Sequence, residues 1–510
     1  MVHDVKVFVK LHKKEEILNS IIVCICYIHM AFSMNVGIDT EVMIVDGPRI
    51  LGQWVKLGRQ GLFMTKFLLK LSQYNPYFEG IIFLAAFILL GSSVAFFCWL
   101  TSGKDDRYPY GVFMLFFSTC PVWMPQFYFA LQRAEVVLGM FYAVISVLSM
   151  IQVLFFEKKK IIWILSYLVF GVWSFCTYQG CVIFYIGLCI MFFLIDFVKD
   201  DGQKQWDQYL KIIFKLAGGF LLVFLINTAA TQLFFGQAQY LQDQVGWGRL
   251  TFSQIFSNVC RHLKNLLFCR GMENRSVYPL ACLGIALVWI YFLWKPGIKK
   301  SVKFIFFLAL AGLLGTPFLL TFYLENIPVI RSQFAVQLIA AFACMFVCGV
   351  WRRERKQEYL WIERGITIIG IVVVWFSAST ILRLQYTDDV RYQEDVSVAY
   401  RIAEDIQRTE GAEELPVIFI GRYTSRLNNA TRLSETYGAS LLGWDYSKEH
   451  PSGATGRIEG FMKTLGIDIS VTTQHQQKAI KLAKNMECYP KPGYISVQDK
   501  FVVVKLSEID

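Results

Sequence analysis

Apolar runs long enough to cross a bilayer recur along the first three quarters of the chain, and no other feature limits the fold so strongly. The first extends from about Ile17 to Val36, matching the ~20 residues a helix needs to span the hydrocarbon. Further runs begin near Gly80, Gly111, Ala134, Ile161, Gly180, Ile212, Pro279, Phe304, Phe334 and Gly365, about eleven in all. Hydrocarbon offers no partner to a backbone N–H or C=O, so segments of this kind fold as helices. Composition agrees: 55% of the 510 residues are hydrophobic and only 17% are charged, where a soluble chain carries about a quarter charged residues. The mean hydropathy is +0.44. These values exclude a disordered protein, a disulfide-rich secreted domain and an ordinary cytosolic enzyme. Most of the thirteen cysteines, Cys24, Cys98 and Cys181 among them, sit inside apolar runs as small hydrophobes, and no CxxC occurs.

The net charge of +11 reads as lysine and arginine collected in cytoplasmic loops, not as a nucleic-acid surface. The basic N-terminus (Lys6, Lys10, Lys13, Lys14) precedes the first run. That run is long for a signal peptide and no A-x-A site follows, so the reading is an uncleaved first helix with its N-terminus inside. The basic clusters 157–160, 295–303 and 351–356 follow the fourth, eighth and tenth runs, on the same side as the N-terminus. An odd number of spans then leaves the end of the chain outside. From about Leu384 charges become frequent. A soluble helix is expected over Asp388 to Glu410, strands at Pro416 to Gly421, near Ile467 to Val471 and at Phe501 to Lys505, and helices near Ile458 to Leu465 and Gln474 to Met486. Such alternation predicts a small α/β domain. The expected organisation is a transmembrane unit over residues 1–383, with outer loops at about 37–79 and 236–278, and an extracytoplasmic α/β domain over 384–510. Neither a Walker, GxGxxG, GxSxG nor HExxH motif occurs, and the six histidines make no metal box.

Three outer features carry chemistry. The first loop places Asp39 and Glu41 directly after a span, followed by Asp46-Gly-Pro-Arg49, Gly52-Gln-Trp54 and Gly58-Arg59. In an extended segment residues two apart face the same side; in a helix they diverge. A carboxylate there can take a proton from an attacking hydroxyl; the alternative is a solvated loop with an Asp helix cap. The loop acids leave room for a divalent cation, Mg or Mn, without demanding one. Next, Met64, Phe67, Leu68 and Leu71 form one face of a helix and Lys66 and Lys70 share another, which suits either a helix lying in the membrane interface or one packed on the protein. Finally, the 236–278 loop carries Arg249, Arg261, His262, Lys264, Arg270 and Arg275 against Asp243 and Glu273. Positive charge on the outer side calls for a phosphate ligand or for anionic headgroups. Arg331, beside Glu325, is a further phosphate candidate, with snorkelling or pairing to that glutamate as the alternative.

Taken in order, several segments resemble the bacterial Gtr type II glucosyltransferases, which modify O-antigen and related surface polysaccharides. They are Ile38-Asp-Thr-Glu41 with the following Gly-Gln-Trp and Gly-Arg, Tyr178-Gln179, Ile327-Pro-Val-Ile-Arg331, and Tyr489-Pro-Lys-Pro-Gly493 through Val502-Val-Val-Lys-Leu506. The resemblance implies a GT-C-like fold and a polyprenyl-phosphate sugar donor used at the outer face. A surface glycan would be the acceptor, and a donor synthase and a flippase accompany such enzymes by analogy. It also implies an essential acid in the first outer loop, which Asp39 and Glu41 match by position. The family often reads Gly-Arg-Trp where this chain has Gly52-Gln-Trp54, which leaves Arg49 and Arg59 as alternatives for the arginine's role. On that reading Arg261, His262, Lys264, Arg270 and Arg331 would meet the donor phosphate, and Trp444 and Tyr446 either stack on sugars or belong to the core. A polysaccharide polymerase or ligase, or a lipid-linked glycan flippase, remains the rival.

Overall fold

The computed structural model describes residues 1–156, 161–234, 250–268, 277–354 and 360–509. Among them eight helices are long and apolar enough to cross a membrane: Lys13–Phe32, Pro76–Thr101, Arg133–Leu154, Gln179–Lys199, Trp206–Leu233, Lys300–Leu324, Phe334–Arg353 and Thr367–Arg408. Ile161–Phe175 and Tyr278–Trp294 are shorter apolar helices. The run at Gly111 folds differently. It forms a helix over Tyr110–Ser118, a 3-10 turn over Pro121–Trp123 and a single turn over Met124–Phe127. Pro121 and Pro125 remove N–H donors and interrupt the ladder. Side chains repair the break: Tyr27 Oη donates to the Ser118 carbonyl (2.8 Å) and Trp123 Nε1 to that of Phe117 (2.7 Å). Buried in an apolar bundle, those carbonyls would otherwise have no donor.

Contacts between helix ends show two opposed ends of the bundle. At one, Arg133 Nη1 donates to the Met30 carbonyl at 3.0 Å. Gly80 meets Ala31 there so closely that a Cβ would stand 1.9 Å from the Ala31 oxygen, so only glycine fits. At the other end, Lys104 pairs with Asp4 (2.9 Å) and Arg353 donates to the Lys199 carbonyl (2.8 Å). Asp39 lies at the first.

The last helix, Leu360–Arg408, has 49 residues and passes the expected boundary at 383/384 without a break. At about 1.5 Å per residue it is roughly 70 Å long, more than twice the hydrocarbon thickness. The soluble helix expected over 388–410 is therefore its continuation. Beyond it, β1 (Val417–Ile420), β2 (Ile495–Val497) and β3 (Val502–Lys505) form a sheet of order β1-β3-β2, parallel between β1 and β3 and antiparallel between β3 and β2. Side chains alternate across it, as strand geometry requires. Ile418, Ile420 and Val503 pack on Ala479 and Ala483 of the Gln476–Ala483 helix, while Val417, Phe419, Val502 and Val504 join the main core. The strand expected at 467–471 reduces to one bridge, Val417 with Val471. β2, which alternation alone did not suggest, takes the other edge.

Two ion pairs are buried at the Asp39 end. Lys66 Nζ lies 2.8 Å from Glu135, and Arg133 lies 2.8 Å from Glu79, with all four side chains at most 3% exposed. Glu79 also accepts the Ala134 N–H at 3.2 Å. The helix Gln60–Leu68 packs on the protein through Lys66, which turns inward, while Met64, Phe67 and Leu68 are exposed and apolar. Leu71 is buried.

Removing one member of such a pair leaves a charge without compensation in a low dielectric. Lys66→Met is expected to cost about 3–5 kcal/mol, measured by thermal unfolding in detergent. Lys104→Met, whose pair with Asp4 is solvent-exposed, is expected to cost under about 1 kcal/mol. Lys66→Met combined with Glu135→Leu should recover most of the loss. Equal stability of Lys66→Met and wild type contradicts a structural role for the pair.

Candidate active site

Asp39 sits in a left-handed turn, φ 67°, and precedes the short helix Thr40–Val45. Asp is one of the few side chains that tolerate this region. The turn swings Asp39 out of the helical path, so two acids that diverge within a helix converge here. The segment before it is tied down from a distance. Asn35 donates to Asp388 (3.1 Å) and Asp389 (2.8 Å), and Arg391 to the Val36 carbonyl (3.0 Å). Asp395, in turn, accepts from Ser440 (2.6 Å) and the Leu441 N–H (2.9 Å). The long last helix and the 435–446 segment therefore hold the acid loop.

Both acids meet one guanidinium. Arg457, on the helix Thr455–Thr464, pairs through Nη1 with Glu41 Oε1, through Nη2 with Asp39 Oδ1 at 3.3 Å, and through Nε with Asp445 Oδ2 at 2.7 Å. The planar fork of arginine suits this three-way bridge. The two loop acids differ sharply in environment: Asp39 is 43% exposed and Glu41 only 1%. Burial raises the Glu41 carboxyl to about 7, against the opposing pull of Arg457 and with a further push from Asp39. Its second oxygen, Oε2, is buried with no hydrogen-bond partner among the described residues. A carboxyl near neutrality with one free oxygen has the properties of a general base.

The basic candidates separate into four groups. Arg59 lies over the Tyr178 ring, 4.8 Å from guanidinium carbon to centroid, a cation–π contact. Arg49 is exposed, on the helix Gly47–Lys56. The structure thus joins Arg59, and not Arg49, to the Tyr178-Gln179 segment. Arg331 pairs with Glu435, whose carboxylate also takes the Ile330 N–H at 2.6 Å, and lies 5.2 Å over Phe129. The expected neighbour Glu325 instead accepts the Leu250 N–H at 2.9 Å.

The third group is the helix Phe252–Leu267, started by a capping box between Thr251 and Gln254. It has three faces. Asn258, His262 and Leu266 face the protein; Phe252, Phe256 and Leu263 are exposed and apolar; Arg261 and Lys264 are exposed on a third edge. His262 is therefore corrected from a phosphate candidate to a core residue. It is fully buried, with Nδ1 2.7 Å from Thr321 Oγ1 and Nε2 3.0 Å from Gln333 Oε1. Because the Gln333 amide nitrogen donates to the Pro328 carbonyl, its oxygen must accept, which makes Nε2 the protonated ring nitrogen. Burial lowers the His262 pKa, with the Gln333 bond opposing. The fourth group lies outside the described residues: Arg249, Arg270 and Arg275, with Asp243 and Glu273.

One segment links these groups. Residues 327–334 contain Arg331, Gln333 bonded to His262, and Phe334 stacked on Tyr178 at 5.5 Å. A Cβ on Gly180 would stand 2.9 Å from the Ser332 carbonyl and 2.6 Å from Phe334, so glycine lets this segment close on the Tyr178-Gln179 turn. Trp444 packs against the main core and Tyr446 lies under Arg422, 5.7 Å away. Among the described residues no group of His, Cys, Asp and Glu is arranged to hold a metal ion. Arg457, Asp445, Glu435 and Arg391 were absent from the sequence candidates. Each sits in a charged stretch with no local pattern to single it out.

The helical bundle, with its candidate membrane spans, gathers paired acids, arginines and aromatic faces at one end, and the family that its sequence matches makes it a glycosyltransferase. Residues 28–348, well over half of the chain, match the family described as Glucosyl transferase GtrII, and the chain belongs to that family. Neither a curated protein nor a solved structure matches it.

If Glu41 takes the acceptor proton, turnover rises with pH through about 7, because only the carboxylate form can act. Arg457→Met removes the group that pulls this value down, so the rising limb should move to higher pH. A wild-type profile without an inflection near 7, or a limb that stays in place in Arg457→Met, assigns the base elsewhere.

Proposed function

We propose that the chain transfers a glucosyl, or hexosyl, unit from a polyprenyl-phosphate donor to a surface polysaccharide or O-antigen-like acceptor on the outer face of the cytoplasmic membrane. Family membership supports the transfer of glucose. The observation that carries the rest is the convergence of Asp39 and Glu41 on one guanidinium, with Glu41 Oε2 buried and, among the described residues, unpartnered. In this reading the chain crosses the membrane eleven times, in a GT-C-like arrangement, with its N-terminus inside. Eight long helices, two shorter apolar ones and the broken 110–127 segment support that count. The segment 384–510 lies outside, over the acid loop.

In this reading acceptor binding uncovers the buried second oxygen of Glu41, which takes the hydroxyl proton as the acceptor oxygen attacks C1. Asp39, half-exposed, orients the acceptor. The bond from C1 to the phosphate oxygen breaks, and the anomeric centre inverts. Polyprenyl phosphate leaves as an anion, so stabilising its charge matters more than protonating it. Arg59 over Tyr178 and the basic edge of the 252–267 helix, Arg261 and Lys264, are suited to that task. Arg331 is committed to Glu435 and positions the 327–334 segment. The exposed Phe252, Phe256 and Leu263 suit a helix lying in the membrane interface, which supports a role for the basic edge at the donor phosphate. A Mg or Mn ion would have to compete with Arg457 for the same carboxylates.

The test uses protein in lipid, polyprenyl-phosphate-linked radiolabelled glucose and extracted surface glycan. Wild type should transfer label. Glu41→Gln should fold and lose about 10²–10⁴-fold in rate, the usual worth of a general base, and Asp39→Asn should lose less. A chelator arm reports on metal use. If wild type moves no sugar from several such donors, or both acid variants stay fully active, a polymerase or flippase replaces this reading.

A further inference from the structure

The end of the bundle opposite Asp39 holds a cavity of about 480 Å³ among the helices Arg133–Leu154, Gln179–Lys199 and Trp206–Phe234. The Gln179–Lys199 helix begins beside Tyr178 and has 21 residues, so at about 1.5 Å per residue its Lys199 end is roughly 30 Å from Arg59. The cavity is therefore separate from the site described above. One wall is apolar, formed by Leu148, Ile151, Phe155, Phe192 and Ile212. Among the described residues its polar side carries four lysines, Lys199, Lys204, Lys211 and Lys215, against one carboxylate, Asp196.

The local pairings leave an excess of positive charge. Lys204 lies 2.6 Å from Asp196, Lys215 donates to the Leu154 carbonyl at 2.9 Å, and Lys211 lies 3.4 Å from Asp207 at the surface. Lys199 and Lys211 are exposed. The N-terminus of the Trp206–Phe234 helix also opens at this side, with Gln208 in its first turn lining the cavity, and its dipole favours an anion. Phe156, 59% exposed, marks the mouth.

We propose that this cavity binds the phosphate headgroup of an anionic membrane phospholipid. The lysines meet the phosphate oxygens through charge-assisted hydrogen bonds, and the apolar wall takes the adjoining methylenes. A free phosphate would use the lysines and waste the wall; a zwitterionic lipid would use the wall and repel the surplus charge with its ammonium. Basic pockets between membrane helices suit acidic headgroups for this reason.

The test is native mass spectrometry of the full chain in detergent, titrated with phosphatidylglycerol, phosphatidylethanolamine or glycerol phosphate. Phosphatidylglycerol should be retained as one tight adduct. Lys199→Gln with Lys211→Gln, both at exposed positions, should weaken it about tenfold or more. Lys10→Gln with Lys14→Gln, near the same end but outside the cavity, should leave it unchanged, and unchanged unfolding temperatures confirm that both variants fold. Equal weakening in both variants makes the effect bulk surface charge and overturns the proposal. So does equal retention of phosphatidylethanolamine, or binding of glycerol phosphate as tight as that of the lipid.

Discussion

Ion pairs closed off from water hold together the end of the bundle at which the acid loop sits. Lys66 with Glu135 and Arg133 with Glu79 tie the loop helix Gln60–Leu68 to the starts of two long helices. In an environment that offers no water, neither charge of a pair can be left alone, so each pair dictates where both of its helices end. The same logic recurs at Arg391, fully buried between Asp388 and Asp395, which fixes the backbone just before Asp39. Apolar packing alone lets helices slide along one another. These charges remove that freedom and thereby set the height of the acid loop.

The electrostatics of the candidate site follow from where the Arg457 guanidinium stands. Three carboxylates converge on one cation, and at Glu41 burial, opposed by Arg457 and aided by the Asp39 charge, raises the carboxyl to about 7. The exposed acid and the buried acid thereby acquire different chemistry although they are two residues apart. The family match ends at residue 348, and Arg457, Asp445 and Glu435 all lie beyond it. The matched region supplies the acids, Arg59, Tyr178 and Arg331, and the following segment supplies the counter-charges that hold them.

Both ends of the bundle use basic residues, in different settings. The 252–267 helix sets its arginine and lysine beside an exposed apolar stripe, whereas the opposite end sets lysines, several of them exposed, along the polar side of a cavity with an apolar wall.

Helical character, the positions of the apolar runs and the acid-bearing first loop were legible in the sequence, because each is a local property: hydropathy over twenty residues, or two acids following a span. Strands β1 and β3 were legible for the same reason, as short β-branched runs. The 110–127 break was harder to read, since Pro121 and Pro125 signal it but only Tyr27 and Trp123 make it affordable. His262, a phosphate candidate in the sequence, is a satisfied core residue; Arg331, for which a pair with Glu325 was the alternative, pairs with Glu435; and Lys66 lies in a buried ion pair. Glu41 and Arg457 are separated by 416 positions, and no periodicity or spacing joins residues that far apart. The sequence by itself determined which segments enter the membrane and which carry charge, since solvation is decided residue by residue. Which charges meet was decided only by the tertiary structure, because a buried ion is tolerated only where the fold brings it a partner.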